Sequence, residues 1–165
     1  QHPGKRYPLW SRGLGDVYKR QKYISKNWVE ENMFNNSFAR NLPTSDFTEV
    51  IRPSADLLYG GCGYDVTYFP LVIETEVPET YWSISFFSEN TDNFSTINEN
   101  SHNFGKLRIY LFGPESKPTK INDGFVVVSP TDKGLVLMRQ FAGNRSNLDE
   151  LYEVQNNLNC KLADF

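Results

Sequence analysis

The sequence has little of what nucleophilic or metal-dependent enzymes use. Its 165 residues include only two histidines, His2 and His102, and two cysteines. His2 lies in an N-terminal stretch without periodicity, and His102 lies in a predicted polar loop. A Ser-His-Asp or Cys-His site needs a histidine that accepts and returns a proton, so the sequence argues against both. Transition-metal sites usually combine several His or Cys ligands, and we therefore expect no metal and no cofactor.

Long hydrophobic runs, an excess of charge and phosphate-binding motifs are missing as well. No stretch approaches the roughly 18 apolar residues that span a bilayer. The net charge of −3, without long runs of either sign, gives no attraction to nucleic acid. Gly60-Gly61-x-Gly63 is too short for a dinucleotide fingerprint and precedes a predicted strand. We expect a soluble chain that meets a membrane only through an N-terminal anchor missing from the sequence.

Aromatic residues, in contrast, are abundant at 15% of the chain and stand beside β-branched residues, a combination that favours sheets. Strand signals cover residues 64–67, 71–77, 81–87, 94–97, 107–112, 125–128 and 135–141. Within residues 81–87, Trp82, Ile84 and Phe86 fall on one face, and the other face carries Tyr81, Ser83, Ser85 and Phe87. Short strands separated by Gly, Pro and Asp turns predict an antiparallel β-sandwich or an open barrel.

The N-terminal part of the chain carries weaker signals. The segment SRGLGDVYKRQ resembles translated adapter read-through, so residues 1–21 are interpreted as a non-native or disordered tail; an ordinary basic tail is the alternative. Residues 22–47 are expected to form an extension, with a short helix over 22–36 and a loop over 35–48. A β-sandwich domain is expected over 48–165. Within it, a helical turn over 55–59 should end at a glycine bend formed by Gly60, Gly61 and Gly63.

A second helix is predicted over residues 146–157. Ser146 is a suitable N-cap, and Asp149 favours the positive end of the helix dipole. One stripe of the helix contains Leu148, Leu151, Tyr152, Gln155 and Leu158. The helix is therefore expected to pack on the sheet through this stripe.

The cysteines, Cys62 and Cys160, leave three alternatives open: two buried thiols, a redox pair or a disulfide. Their distance along the chain excludes a Cys-x-x-Cys motif and a zinc knuckle. A disulfide would close a loop of about 100 residues, and in the chain-entropy model such a loop contributes on the order of 4.7 kcal/mol.

Three segments resemble a bacterial family known as domain of unknown function 1254. VIRPSADLLY at residues 50–59 is similar to the family's Arg-Pro-Asn-x-Asp-Thr-Leu-Tyr motif, with Ser54 and Leu57 in place of the asparagine and threonine. YWSISFFSENTDNF at 81–94 resembles the family's aromatic strand and turn. VVVSPTDKGLVLMRQF at 126–141, with the following helix, resembles its closing strand pair and helix. The resemblance covers about residues 48–162.

The positions of Cys62 and Cys160 point to the short, exported, single-domain branch of that family. The resemblance implies an immunoglobulin-like β-sandwich with a C-terminal and a short N-terminal helix. It also implies a periplasmic location, tethered to the inner membrane, where a disulfide between the two cysteines would persist. The family has no established biochemical role, and the substitutions at Ser54 and Leu57 would alter any site formed by those positions.

Candidate ligand-binding residues fall into three groups. One surrounds the glycine bend, with Asp65 nearby, and could form a carboxylate–phenol pair or simply stabilise a turn. A second, with Glu89 and Asn98, lies in the turn after the aromatic strand and could hold a sugar beside aromatic rings; a plain hairpin turn over an aromatic core explains it equally well. The third consists of strand arginines, each of which faces solvent or pairs with a carboxylate such as Glu74 or Glu76; together they could bind an anion if both point to one cleft. The candidates are Asp56, Tyr59, Tyr81, Asp92, Asn93, Arg108 and Arg139.

These observations favour a non-catalytic cell-envelope module that binds a small ligand or an envelope protein. The alternative is a carboxylate-based periplasmic hydrolase, which needs two acidic side chains roughly 5–10 Å apart in one concave pocket. A purely structural domain is the third hypothesis.

Overall fold

A computed structural model describes residues 34–42, 54–118, 121–143 and 148–163. These residues form nine strands and one helix. The elements are β1 Ser37–Arg40, β2 Leu57–Asp65, β3 Leu71–Val77, β4 Trp82–Ser88, β5 Asn93–Asn98, β6 Gly105–Phe112, β7 Phe125–Val128, β8 Lys133–Phe141, α1 Leu148–Asn156 and β9 Asn159–Leu162. The expected tail over 1–21, most of the N-terminal helix, and the Ser146 cap lie outside the described residues.

The strands form two sheets. The five-stranded sheet has the order β1-β2-β8-β4-β5, and the four-stranded sheet has the order β7-β6-β3-β9. All neighbouring strands are antiparallel except β6 and β7, which are parallel. The chain is therefore mainly β with one C-terminal helix, and the expectation of purely antiparallel pairing is wrong for that one pair.

Both sheets contribute to one core. Side chains of successive strand residues point to opposite faces, so the apolar positions at every second residue meet between the sheets. Trp82, Ile84 and Phe86 are buried in this core, as their alternation predicts. The core also contains Tyr64, Leu71, Ile73, Ile109, Leu111, Val136, Met138 and Leu158. Ser83, Ser85 and Phe87 consequently belong to the outer face of the five-stranded sheet.

The predicted glycine bend is wrong, because β2 runs straight through it. Gly60 pairs with Met138, and Gly61 pairs with Leu137. A Cβ at Gly61 would collide with the carbonyl oxygen of Val136, so glycine is needed there for close backbone approach rather than for a turn. The loop predicted over 35–48 is also wrong for residues 37–40, which form β1 beside this part of β2.

The predicted disulfide is present and joins the two sheets. Cys62 lies in β2 and Cys160 lies in β9, with their Cα atoms 6.6 Å apart. β9 follows α1 directly and pairs with β3, where Cys160 stands opposite Ile73. This terminal strand was not predicted. The bond therefore anchors both the helix and β9 to the five-stranded sheet.

Helix α1 occupies the part of the predicted helix that the structure describes, and its apolar stripe faces inward. Leu151 and Gln155 are buried. The Gln155 side-chain amide donates hydrogen bonds to the backbone carbonyls of Arg40 and Tyr59, at 3.0 Å for Arg40. These two bonds satisfy the buried amide nitrogen of Gln155 and connect α1 to β1 and β2.

Candidate functional site

The most complete cluster of candidate residues lies at one corner of the five-stranded sheet, where β2 and β4 begin and β8 ends. Two backbone hydrogen bonds hold the three chain segments together: Phe141 N–H donates to the Tyr81 carbonyl at 2.9 Å, and Ala142 N–H donates to the Asp56 carbonyl at 2.7 Å. We define the β2–β8–β4 corner as Asp56, Tyr59, Tyr81, Arg139 and Phe141. Four of the seven predicted ligand-binding residues meet here.

Register places the polar members of this corner in one row. Tyr59 stands opposite Arg139 on one side of β8, and Ser83 stands opposite Arg139 on the other. Directly opposed side chains in antiparallel strands have Cβ atoms roughly 4.5–5.5 Å apart. The three side chains point to the outer face, because Trp82 and Met138, which alternate with Ser83 and Arg139, point into the core. Within this row Tyr59 and Ser83 are buried, each at 3% exposure, whereas Arg139 is partly exposed.

Tyr59 is the anchored member of the corner. It is only 3% exposed, and its hydroxyl accepts a hydrogen bond from the Ser54 N–H at 2.9 Å. Asp56 is exposed, and its own backbone N–H donates to the Ser54 hydroxyl at 3.3 Å. The local, turn-stabilising interpretation is therefore supported for Tyr59. The Asp56 carboxylate remains open to solvent beside it.

Two aromatic rings form the exposed part of the corner. Tyr81, which directly precedes β4, is 42% exposed, and Phe141, at the end of the neighbouring β8, is 41% exposed. The Tyr81 hydroxyl donates to Ser83 Oγ at 3.2 Å, so that ring is held along the sheet surface. Phe141 was not among the predicted site residues. Its odd-numbered position in the strand, matching Arg139 and alternating with Val136 and Met138, is the signal that places it on the outer face.

The two strand arginines lie on opposite sides of the molecule, so the expected joint anion cleft is wrong. Arg108 belongs to the four-stranded sheet and contacts Glu74 at 2.7 Å and Asp123 at 2.5 Å. Arg139 belongs to the five-stranded sheet and cannot reach Glu74 or Glu76. Within the described ranges Arg139 has no acidic partner. Of the two predicted alternatives, pairing with a carboxylate is therefore confirmed for Arg108, whereas Arg139 is partly exposed on the outer face.

Asp92 and Asn93 lie at the other end of the five-stranded sheet. Asn93 stands opposite Phe87, and the Asp92 carbonyl accepts from the Ser88 N–H. The length of β4 separates this turn from Tyr81 by roughly 20 Å at about 3.4 Å per residue. The expected sugar site with Tyr81 beside this turn is therefore wrong.

The aromatic residues nearest the β4–β5 turn point inward instead. Phe86 is fully buried, and Phe94 packs against it with ring centroids 6.1 Å apart. On the outer face, the Asn93 side-chain amide donates to Thr96 Oγ1 at 3.3 Å, and Thr96 Oγ1 donates to Ser85 Oγ at 3.3 Å. This end of the sheet is a hydrogen-bonded hairpin over an aromatic core.

Asp65 is likewise distant from the corner, at the opposite end of β2. Its carboxylate accepts from the Thr67 hydroxyl at 2.6 Å and contacts Lys133 Nζ at 3.2 Å. Partial burial raises the pKa of Asp65, but the hydrogen bonds from Thr67 and Lys133 outweigh it, and the pKa of this carboxylate is lowered. Asp65 is thus a structural carboxylate. His102, in its predicted loop, lies with Nε2 3.2 Å from the Lys106 carbonyl oxygen.

A shallow cavity of about 480 Å³ lies on the outer face of the four-stranded sheet and is lined by charged side chains. Glu74 contacts Lys161 at 2.8 Å in addition to Arg108. Hydrogen bonds from Lys161 and Arg108 lower the pKa of Glu74, and the bonds from Glu74 and Asp123 raise the pKa of Arg108. Glu74 therefore stays ionised near neutral pH and is unsuited to act as a general acid.

Neither a membrane-spanning helix nor a metal-binding cluster occurs within the ranges that the structure describes. In those ranges no helix has the length and apolarity needed to cross a bilayer. Nor do three or more His, Cys, Asp or Glu side chains come together there in an arrangement that would hold a metal ion.

The fold and the corner together define a two-sheet β domain with a covalent link between its sheets and an aromatic–arginine surface at one edge. Residues 32–162 match the family described as protein of unknown function (DUF1254), and the chain belongs to that family. The match begins before the segment that resembles the family by its motifs, and it includes β1. A search of curated proteins finds no match.

Two solved structures share the fold. One is the VPA0106 protein from Vibrio parahaemolyticus, with a TM-score of 0.63 and 13% identity, over 88% of this chain and 35% of that protein. The other is a putative uncharacterized protein from Burkholderia cenocepacia, with a TM-score of 0.57 and 15% identity, over 97% of this chain and 44% of that protein. This chain spans less than half the length of either structure.

Proposed function

We propose that this domain is a non-catalytic binding module of the bacterial cell envelope and that its ligand binds at the β2–β8–β4 corner. The observation that carries the proposal is the pair of exposed rings, Tyr81 and Phe141, next to the partly exposed Arg139. Surface rings on a rigid sheet, with a few polar groups beside them, provide apolar contact area together with oriented hydrogen bonds.

The rigidity of the corner supports the same proposal. Arg139 and Phe141 lie on β8, which is paired on both sides, and Tyr81 directly precedes β4. Binding groups held on a paired central strand lose little conformational freedom when a ligand binds. The large buried ring of Trp82 lies directly below, on the inner face of the same sheet.

The periplasmic location and the tether to the inner membrane are part of this proposal. The buried bond between Cys62 and Cys160 supports them, since disulfides persist in oxidising compartments and are rare in the bacterial cytoplasm. We further propose that the two sheets are a variant of the immunoglobulin-like sandwich, which also uses an inter-sheet disulfide. Fractionation of cells that express the full-length coding sequence, with a non-reducing gel of each fraction, tests the location.

The binding proposal is tested by heteronuclear NMR of the full chain during titration with a panel of neutral and acidic oligosaccharides. We expect shifts concentrated at Tyr81, Arg139 and Phe141, and a loss of these shifts in Tyr81→Ala. The matched control is Val126→Ala, which removes a residue of similar exposure (41%) from an edge strand of the other sheet. Shifts confined to other surfaces would contradict the proposal.

The hydrolase alternative makes a distinguishable prediction. Asp56 and Asp92 lie at opposite ends of the five-stranded sheet, roughly 20 Å apart by strand length, whereas paired catalytic carboxylates lie roughly 5–10 Å apart. Robust turnover of an oligosaccharide by the purified domain, abolished in Asp56→Asn while the fold remains intact, would overturn the non-catalytic proposal.

A further inference from the structure

Arg139 and Arg108 both lie within strands, but among the residues that the structure describes Arg139, unlike Arg108, has no acidic partner. Arg108 is compensated by Glu74 and Asp123. Arg139 is flanked across the strands by the Tyr59 and Ser83 side chains, neither of which is a carboxylate. A partly buried guanidinium without a counter-charge loses hydration without recovering it from a partner. This position therefore favours an external anion.

The row that contains Arg139 carries a second positive residue. Arg40 stands opposite Tyr59 on β1, so that Arg40 and Arg139 flank Tyr59 on the same outer face. The Arg40 guanidinium lies 5.4 Å from the centroid of the Phe38 ring. Arg40 is thus the second arginine of this cross-strand row; its guanidinium is engaged with the Phe38 ring, so the anion is assigned to Arg139.

The exposed rings indicate what kind of ligand bears the anionic group that pairs with Arg139. Tyr81 and Phe141 offer apolar faces at the rim of the row, and a flat ring with apolar C–H faces fits such a surface. The Tyr81 hydroxyl lies at the same edge and can accept a hydrogen bond from a ligand hydroxyl group. A ligand that satisfies these groups has a ring with hydroxyls and one carboxylate.

We infer that the β2–β8–β4 corner binds an acidic saccharide, with the carboxylate of a uronic acid paired to the Arg139 guanidinium and a sugar ring against Tyr81 and Phe141. This inference rests on the proposed binding function and names the class of its ligand. A guanidinium pairs a carboxylate through two parallel N–H···O bonds, and such a pair distinguishes a uronic acid from a neutral sugar of the same shape.

The experiment is an NMR and calorimetric titration of the full chain with three probes: trigalacturonate, maltotriose and benzoate. We expect trigalacturonate to bind at least about tenfold more tightly than maltotriose, because a charge-assisted hydrogen bond contributes enough for roughly that ratio. Arg139→Gln should abolish the difference between the two sugars while the weaker ring contacts remain. Arg108→Gln, which removes an equal charge from the other sheet, should leave the difference unchanged.

The outcomes separate this inference from the proposed function. Equal binding of both sugars at the corner, unaffected by Arg139→Gln, would overturn the acidic ligand and leave the binding module standing. Binding of benzoate as tight as that of trigalacturonate would show a general carboxylate site and would also overturn the saccharide. If no probe perturbs Tyr81, Arg139 or Phe141 at millimolar concentration, the inference fails and the proposed site fails with it. Thermal unfolding of each variant confirms that it is folded.

Discussion

Removal of the inter-sheet disulfide should cost this domain a large part of its stability. The bond joins residues 98 positions apart, and the chain-entropy model gives about 4.7 kcal/mol at 25 °C for a loop of that length. Because domains of this size are typically stable by about 5–15 kcal/mol, the loss would bring the protein close to unfolding. The double variant Cys62→Ala/Cys160→Ala also removes two buried sulfur atoms, so its loss should be at least as large.

Urea denaturation followed by Trp fluorescence measures this effect. The oxidised wild type is compared with the reduced wild type, which differs only in the S–S bond, and with the double variant. For a urea dependence near 2 kcal/mol per molar, the midpoint should fall by roughly 2 M in both cases. The reasoning would be refuted if the urea midpoint decreased by less than about 0.5 M both in the reduced wild type and in the double variant, with no free thiol detected in the oxidised protein. The denatured chain would then be held compact by something other than this bond.

Three further perturbations test individual features of the core and surface. Gln140 is 1% exposed, and neither its side-chain oxygen nor its side-chain nitrogen has a hydrogen-bond partner. Gln140→Leu should therefore raise the free energy of unfolding by roughly 1–3 kcal/mol. A free energy of unfolding below that of the wild type would show that the amide has a partner, such as an internal water. Gly134→Ala should lower it by roughly 1–3 kcal/mol, because a Cβ there would collide with the Tyr64 hydroxyl and the Phe87 carbonyl, and an unchanged urea midpoint would contradict this. Glu74→Gln should lower stability by less than about 1 kcal/mol at pH 7. The folded-state pKa of Glu74 is lowered, so this difference should be complete above about pH 5 and vanish as pH falls through that pKa; a difference that persists at pH 2 would contradict the ion-pair explanation.

Local patterns were sufficient to locate most strands and to assign their faces. The alternation of Trp82, Ile84 and Phe86 predicted the buried face of β4, and the stripe through Leu151 and Gln155 predicted the buried face of α1. Both predictions depend only on the fixed repeat of a strand or helix, which the order of residues determines. Glycine was less informative, because close approach and a turn require the same residue. At Gly61 the structure shows close approach where the sequence predicted a bend.

The composition of the corner could not be read from the sequence. Asp56, Tyr81 and Arg139 are far apart along the chain, and only the order β2-β8-β4 places them together. The same order assigns Arg139 and Arg108 to different sheets, although the two residues look alike as strand arginines in the sequence. The parallel pairing of β6 and β7 and the addition of β9 also depend on contacts between distant segments.

The sequence by itself determined the β character of this protein, the alternating faces of its central strands, its family and the two residues able to crosslink it. These properties depend on residue type and short-range repeat. Only the tertiary structure decided which strands are neighbours, that the crosslink joins one sheet to the other, and that Tyr81, Phe141 and Arg139 share one surface, where Arg139 has no acidic partner among the described residues. Strand pairing joins segments that are distant in sequence, and many strand edges could pair with similar geometry. Which edges pair therefore depends on the packing of the whole core rather than on any one segment.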